Sequence, residues 1–273
     1  MAAPFSEKAV VLGDFRATVA SDYLGQGFLE ALSKPSFLME SGTLLLGGRN
    51  RLAVVTLPGS SGRPVEAVLK QFGLRGIDRL KTLIFPSKAL KAWRGAKALV
   101  EKGIPTPLPL ACLERKKGGL TAEAYYLAEK ISSVQEVRHF FRSLVGKDLD
   151  GLLRSLAVFL REVHRRGILH KDLSDGNILL GSESQGGPVF FLLDTNRVRI
   201  KKNIGPLGAA GNLVRLGVPR RAQPSFLAYY WLGRPVPRFF GLWYRLRKKW
   251  YTGAVGLKKA LRLKKLVRRM GLQ

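Results

Sequence analysis

The stretch between residues 152 and 194 constrains the fold more than any other part of the chain. Apolar residues recur at helical spacing over residues 152–163, and Gly167 predicts the end of this helix. After the segment that runs from Ile168 to Leu180 comes a Gly-rich turn, and the apolar strand over residues 189–193 then leads directly to Asp194, so that two short apolar strands flank a turn. Short apolar strands in this region therefore each carry a polar residue at one end.

The first 130 residues predict a strand-rich region. A helix is expected over residues 87–102, with Ser87 as its N-cap and Gly103 as its stop. Apolar alternation and intervening turns predict strands at residues 43–46, 52–57, 65–72 and 124–128. A strand-rich N-terminal part and a helical C-terminal part are thus expected to meet near Glu129.

The segment before the Gly-rich turn carries residues in the order that phosphoryl transfer requires. Transfer from ATP needs a carboxylate to orient the acceptor hydroxyl, oxygen ligands for Mg²⁺ and a cation near the nucleotide. His170-x-Asp172 with Asn177 five residues after the aspartate matches the spacing of kinase catalytic loops. Asp194 ends the next strand, and Lys70 ends a strand about a hundred residues upstream. Taken alone, His170-x-Asp172 equally fits a structural histidine, and Lys70 a solvated lysine.

Several longer segments resemble the lipopolysaccharide core sugar kinase family, which includes Kdo and heptose kinases. The clearest are KAWRGAKALVEKGIPTPLPL from Lys91, HKDLSDGNILL from His170 and LLDTNRVR from Leu192. The resemblance implies an α+β, bilobal protein-kinase-like fold with a small antiparallel-sheet N-lobe and a mainly helical C-lobe. It also implies ATP-dependent phosphorylation of a sugar hydroxyl in the lipopolysaccharide inner core.

The resemblance further implies a role for each matching residue. Asp172 would position or deprotonate the acceptor hydroxyl, and Asn177 and Asp194 would ligate Mg²⁺ through hard oxygen atoms. Lys70 would pair with the α- and β-phosphates of ATP. The adenine edge would be read by a hinge that runs from Glu129 to Ile131. Gly47 and Gly48 would cover the phosphates, although a plain hairpin turn is the competing interpretation.

Two departures from the kinase pattern stand out. Ala92 occupies the position where kinases carry a helix glutamate that pairs with the strand lysine, so Lys70 lacks its expected partner unless another carboxylate replaces it. Ser174 stands where protein Ser/Thr kinases have a lysine, and Thr195-Asn196 replace Phe-Gly. These residues disfavour a protein kinase, and Ala92 keeps open a catalytically weak, kinase-like binding protein at the membrane.

Charge is distributed unevenly along the chain. The net charge is +28, and the 79 residues after Asp194 contain 20 Lys or Arg and no acidic residue. This field predicts a polyanionic partner, and the interleaved aromatics near the C-terminus suit a helix at an anionic membrane surface. Binding to single-stranded nucleic acid is the less favoured alternative, and a basic helix packed on its own domain is a third.

The same composition predicts where the protein acts and how it is divided. A single cysteine, Cys112, fits a reducing compartment, and we find no secretory signal or membrane-spanning run, so we expect a cytoplasmic protein at the inner face of the membrane. Residues 1–130 are expected to form the nucleotide-covering lobe, residues 131–235 the catalytic lobe and residues 236–273 the basic helical tail. The expected acceptor is a lipid-linked or core oligosaccharide.

Overall fold

The computed structural model describes residues 5–59, 63–74, 76–182 and 187–269, with side chains through residue 257. Residues 1–4 and 270–273, which belong to the predicted first lobe and tail, lie outside the described residues. The chain divides into a first unit, Met1–Gln135 with Leu179–Arg199, and a second unit, Glu136–Ile178 with Ile200–Gln273. This division assigns the segment that carries Asp194 to the sheet unit, whereas the sequence boundaries at 130 and 235 assign it to the catalytic lobe.

The strands lie mostly in the first unit. In chain order they are β1 (Glu7–Leu12), β2 (Phe15–Ala20), β3 (Thr43–Leu46), β4 (Arg51–Pro58), β5 (Pro64–Gln71), β6 (Pro109–Lys117), β7 (Leu120–Glu129), β8 (Gln135–Glu136), β9 (Ile168–His170), β10 (Ile178–Ser182), β11 (Pro188–Leu192) and β12 (Val198–Ile200).

The long helices lie in the second unit, apart from α4. In chain order the helices are α1 (Gln26–Leu32), α2 (Pro35–Ser41), α3 (Ile77–Leu80), α4 (Lys88–Glu101), α5 (Val137–Ser143), α6 (Gly146–Arg165), α7 (Pro206–Leu213), α8 (Gln223–Tyr230) and α9 (Arg238–Arg269). Among the described residues, every helix is too short or too polar to pass through a bilayer.

One antiparallel sheet organises the described part of the first unit. Its seven strands run in the order β1-β2-β6-β7-β5-β4-β3. Side chains alternate between its faces, so Tyr125 and Leu127 of β7 join the core beneath α1 and α2, whereas Ala124, Tyr126 and Ala128 join the core beneath α4. Burial on both faces explains why residues 124–128 of this central strand form an uninterrupted apolar run. The predicted α+β fold with a small antiparallel sheet is confirmed.

The register of this sheet fixes the face on which Lys70 lies. Ala67 and Leu69 of β5 belong to the core beneath α1 and α2. Lys70 has the opposite parity, and its cross-strand partner is Tyr126, which faces α4. A lysine at this strand position therefore lies on the side of the sheet that α4 covers.

The predicted helix over residues 87–102 is α4, and its ends have the expected causes. The Ser87 hydroxyl accepts a hydrogen bond from the Leu90 amide at 3.1 Å, as an N-cap does. At the other end, Gly103 has φ +62°, and the Ile104 amide donates to the Leu99 carbonyl at 2.8 Å. The GIPTP segment then continues without helix or strand, as its prolines predict.

A buried polar network joins three helices of the second unit. His164 of α6 is almost completely buried; its Nε2 lies 3.0 Å from Asn212 Oδ1, and its Nδ1 lies 2.8 Å from the Tyr230 hydroxyl. Asn212 Nδ2 donates to the His170 carbonyl at 2.7 Å, which leaves Oδ1 to accept from His164. His164 therefore carries its proton on Nε2 and accepts from Tyr230. The network holds His170 at the end of β9 in place.

The start of α9 belongs to the core of the second unit. Phe240 and Tyr244 are buried, and the Phe240 ring stacks on Tyr230 at a centroid distance of 5.7 Å. Lys248 donates to the Val214 and Leu216 carbonyls at 2.8 and 2.6 Å. One face of this helix therefore packs on its own domain, which agrees with the third interpretation of the basic tail.

Protonation of His164 should destabilise the protein. Burial lowers the pKa of His164 from 6.5 to about 4, while the hydrogen bond to Asn212 opposes this shift. The unfolded chain therefore binds this proton at higher pH than the folded chain does. We expect the free energy of unfolding contributed by this site to be complete above pH 6.5 and to fall by about 3 kcal/mol as the pH decreases to about 4.

Denaturant titrations between pH 7 and pH 4 measure this effect when His164→Gln serves as the reference. Groups that titrate in both proteins cancel in the difference, and glutamine does not titrate. An identical pH dependence in the two proteins would contradict the assignment.

Candidate active site

The turn that carries Asp194 is anchored by hydrogen bonds on both sides. At the end of β11 the Leu192 amide donates to the Pro105 carbonyl at 3.0 Å, and the Thr106 hydroxyl donates to the Leu192 carbonyl at 2.8 Å. After the turn, the Thr195 hydroxyl donates to the Ala92 carbonyl of α4 at 2.8 Å. The GIPTP segment and α4 thus hold the position of Asp194 between them.

The contact between this turn and α4 requires glycine at position 95. A Cβ at Gly95 would lie 2.1 Å from the Thr195 carbonyl oxygen, which is far too close for any side chain. Asp194 itself has φ +52° and ψ +48°, a left-handed conformation that aspartate tolerates better than most residues. The backbone of the Asp194 turn therefore combines a close approach to α4 with a left-handed residue.

Lys70 and Asp194 form an ion pair within the first unit. The Lys70 ammonium donates to Asp194 Oδ1 at 2.6 Å, and both side chains are about four-fifths buried. The ammonium also lies 5.1 Å from the centre of the Phe72 ring. Asp194 thus takes the place of the helix glutamate that is missing at Ala92 and pairs with Lys70 instead. Ala92 contacts the Asp194 turn through its backbone carbonyl.

The predicted glycine loop lies in the connection between β3 and β4. Gly47 and Gly48 are exposed, Gly48 has φ +113°, and neither has a close neighbour where a side chain would stand. The adjacent Arg49 forms an ion pair with Asp78 of α3, and Lys88 donates to the same carboxylate at 3.0 Å. The loop is therefore open at its glycines and tethered beside them.

Lys88 adds a second cation on the α4 side of the sheet. Burial is the main cause that lowers the pKa of Lys88, and the positive charges of Arg49, Arg197 and Lys81 lower it further. The negative charge of Asp194 opposes this shift. Arg197 in turn lies 3.8 Å from Asp194 Oδ2. Several cations thus share few carboxylates in this region, which favours the binding of a polyanion such as a triphosphate.

The predicted hinge lies at the end of β7. The Glu129 amide donates to the Leu108 carbonyl at 2.9 Å, and the Lys130 amide donates to the Glu66 carbonyl at 2.9 Å. Glu129 is paired in register with Ala67, three residues along β5 from Lys70, a separation of roughly 10 Å at about 3.3 Å per residue. Since the Glu129 amide is occupied, adenine recognition through this residue would use its carbonyl.

The predicted catalytic loop is organised around two buried residues of the second unit. His170 and Leu173 are fully buried, and the Asp172 amide donates to His170 Nδ1 at 3.3 Å. Asn177 Nδ2 donates to the Asp172 carbonyl at 2.8 Å. This bond fixes the orientation of the Asn177 amide, so its Oδ1 points away from the Asp172 carbonyl. The structure thus places Asp172 and Asn177 together in one loop.

The predicted metal ligands suit Mg²⁺ by their chemistry. Asn177 offers one amide oxygen, and Asp194 offers a carboxylate whose charge is shared with Lys70. Mg²⁺ takes few protein ligands and completes its shell with water and phosphate oxygens, so a pair of oxygen donors is sufficient. Among the described residues no three His, Cys, Asp or Glu side chains lie close enough together to hold a metal ion.

Sequence reasoning did not identify Arg215 as a residue of this site. Its Nη2 lies 2.8 Å from Asp172 Oδ1, and its Nη1 donates to the Lys171 carbonyl at 3.2 Å. Lys88 is the second such residue. For Arg215 the sequence contained an indirect signal, since Ser174 leaves the loop without the lysine that protein Ser/Thr kinases carry at that position. The sequence contained no such signal for Lys88.

The chain matches a family of known chemistry over half its length. Residues 79–216, which include Asp172, Asn177, Asp194 and Arg215, match the model of the lipopolysaccharide kinase (Kdo/WaaP) family. The chain belongs to this family. The protein is therefore a kinase of the lipopolysaccharide core, and the family predicted from sequence is confirmed.

A solved structure supports the fold independently. The structure described as WaaP in complex with acyl carrier protein is similar over 81% of this chain and 92% of that chain, with a TM-score of 0.58 and 17% sequence identity. At this identity the likeness concerns the fold, which is protein-kinase-like as predicted. A search of curated proteins found no significant match.

A methyl group at Gly95 should disturb the Asp194 turn. We expect Gly95→Ala to lower the free energy of unfolding by about 1–3 kcal/mol, because the added Cβ forces α4 and the turn apart. Denaturant unfolding measures the change.

Gly151→Ala is the matched control, since Gly151 also lies within a helix but has no atom within 4 Å of the added Cβ. This variant should gain about 0.5–1 kcal/mol through helix propensity. Equal effects of the two substitutions would argue against the close contact.

Proposed function

We propose that this protein transfers the γ-phosphoryl group of ATP to a hydroxyl of a Kdo or heptose sugar in the lipopolysaccharide inner core. The observation that carries the proposal is the contact between Lys70 and Asp194, which pairs a strand cation with the carboxylate expected at a metal–nucleotide site. Membership of the lipopolysaccharide kinase family supports the acceptor class.

In this proposal the first unit binds the nucleotide. Lys70 neutralises the α- and β-phosphates, and Lys88 and Arg197 add positive charge around them. The backbone at Gly47 and Gly48 is free to approach the phosphates because glycine has no side chain of its own and both residues are exposed. The hinge at residues 129–131 contacts adenine through main-chain groups.

In the second unit Asp172 accepts a hydrogen bond from the acceptor hydroxyl and orients it toward the γ-phosphorus. A bond forms between that hydroxyl oxygen and phosphorus while the bond to the bridging oxygen of ADP breaks. The hydroxyl proton passes to Asp172 and then to solvent, and ADP leaves. Asn177 and Asp194 would hold Mg²⁺, which supplies charge neutralisation on the phosphates.

The outer face of α9 supports action at an anionic membrane surface. Six exposed apolar side chains lie on one stripe of this helix: Phe239, Leu242, Trp243, Leu246, Trp250 and Leu257. Counted from the first, they follow at three, four, seven, eleven and eighteen residues, which is the spacing of one helix face. Exposed Arg245 and Lys249 lie beside this stripe. Apolar residues bordered by cations suit a helix in the plane of an anionic bilayer.

A cavity beside α9 supports an acceptor with a lipid part. Its volume is about 1260 Å³, and it lies entirely within the second unit. Leu227, Val236 and Tyr244 give it an apolar wall, and Arg220, Arg245 and Lys249 add positive charge. This combination fits an amphiphile that carries phosphate or carboxylate groups.

Removal of either predicted carboxylate should abolish transfer. We expect Asp172→Ala and Asp194→Ala each to lower the rate of phosphate transfer from ATP to a core oligosaccharide by at least about 10³-fold. Mass spectrometry of the acceptor measures the gain of one phosphate. Circular dichroism should show that both variants remain folded.

Asp148→Asn is the control, because Asp148 is exposed on the first turn of α6 and should leave transfer unchanged. Full activity in both alanine variants would reject the site. The lipopolysaccharide of a deletion strain should contain species lighter by one phosphate.

Loss of the exposed apolar stripe should weaken membrane binding. We expect the double variant Leu246→Ser with Trp250→Ser to bind phosphatidylglycerol vesicles at least about tenfold more weakly. Two apolar side chains that would enter the bilayer are lost in this variant. Vesicle sedimentation measures the affinity.

Val158→Ser is the control, because Val158 is an exposed apolar residue on α6, away from this stripe. Equal vesicle binding by the double variant and the wild-type protein would contradict the membrane role. WaaP was solved with acyl carrier protein, so binding of that protein to the stripe in the absence of vesicles would identify a protein partner instead.

A further inference from the structure

The catalytic aspartate has an ionic partner that comes from a distant part of the chain. Arg215 follows α7 and contacts the loop at two points, the Asp172 carboxylate at 2.8 Å and the Lys171 carbonyl at 3.2 Å. Two contacts from one planar guanidinium fix its position relative to the loop. Among the described residues of the second unit, Arg215 is the ion-pair partner of Asp172.

The contact occurs in a loop that lacks its own cation at a defined position. Ser174 stands two residues after the aspartate, where protein Ser/Thr kinases carry a lysine. Arg215 brings a cation to the same carboxylate from 43 residues beyond Asp172. A carboxylate that must orient a hydroxyl needs a fixed rotamer, and an arginine held at two points can provide it.

Arg215 is in turn held by α9. Lys248 donates to the carbonyls of Val214 and Leu216, the two residues on either side of Arg215, at 2.8 and 2.6 Å. Val214 and Leu216 are buried, and the Arg215 guanidinium lies 5.4 Å from the centre of the Tyr251 ring. The backbone and the side chain of Arg215 are therefore both in contact with α9.

We propose that Arg215 is a positioning residue for Asp172 and that α9 holds Arg215 in place through Lys248. The helix with the exposed apolar stripe then also supports the geometry of the catalytic loop. The kinetic part of this inference rests on the proposed function. The contact itself is testable without it.

Steady-state kinetics with ATP and core oligosaccharide test the role of Arg215. We expect Arg215→Ala to lower kcat by about 10²-fold, because Asp172 loses its fixed orientation, while KM for ATP stays within about twofold. Arg215→Lys should have intermediate activity, since lysine retains the charge but not the second contact. Guanidinium ion added to Arg215→Ala should restore part of kcat, which a merely structural residue would not show.

Variants of α9 test the second step. Lys248→Met should lower kcat without rescue by guanidinium, because Arg215 is present but misplaced. Lys147→Met is the matched control, since Lys147 is an exposed lysine of α6, and it should retain wild-type kcat. Wild-type kcat in Arg215→Ala would overturn the positioning role, and wild-type kcat in Lys248→Met would overturn the role of α9.

A thermal double-mutant cycle separates this inference from the proposed function. The Tm changes of Arg215→Ala and Asp172→Asn should be non-additive by about 2 °C or more when the two side chains interact. If the wild-type protein transfers no phosphate, the proposed function fails while this coupling still reports on the ion pair. Additive Tm changes would overturn the contact.

Discussion

The close packing of the Asp194 turn against α4 determines the geometry of the first unit. The turn approaches the helix backbone at Gly95, and the Thr195 hydroxyl bonds to the Ala92 carbonyl. Because the Thr195 carbonyl oxygen lies 2.1 Å from where a Cβ of residue 95 would stand, a side chain at position 95 has no room. The same approach brings the Asp194 carboxylate to Lys70, so the small residues of α4 and the unusual ion pair have one cause.

The sequence predicted this architecture where local chemistry determined it. The strands around Lys70, the helix capped at Ser87 and the long helix before the catalytic loop all follow from periodicity and capping residues. The spacing of Asp172 and Asn177 predicted that they share one loop, since five residues cannot separate far. Short-range patterns were sufficient for these features.

Contacts between distant residues were not predictable in the same way. Nothing local to Lys70 indicates that its partner is 124 residues away, and Arg215 has no sequence relation to Asp172. The C-terminal helix shows the same limit, because its composition suggested a surface role. Its sequence does not reveal that Phe240 and Tyr244 are buried while Trp250 is 82% exposed. Such choices depend on tertiary packing.

The left-handed backbone of Asp194 narrows the range of residues that this position accepts. A requirement for a carboxylate alone would permit glutamate, but few residue types with a Cβ adopt this conformation cheaply, and asparagine and aspartate are among them. Position 194 therefore requires a residue that both adopts the left-handed backbone conformation and carries a negative charge. Asparagine is consequently the replacement that separates the two, because it retains the shape of the turn and leaves the lysine without a counter-ion.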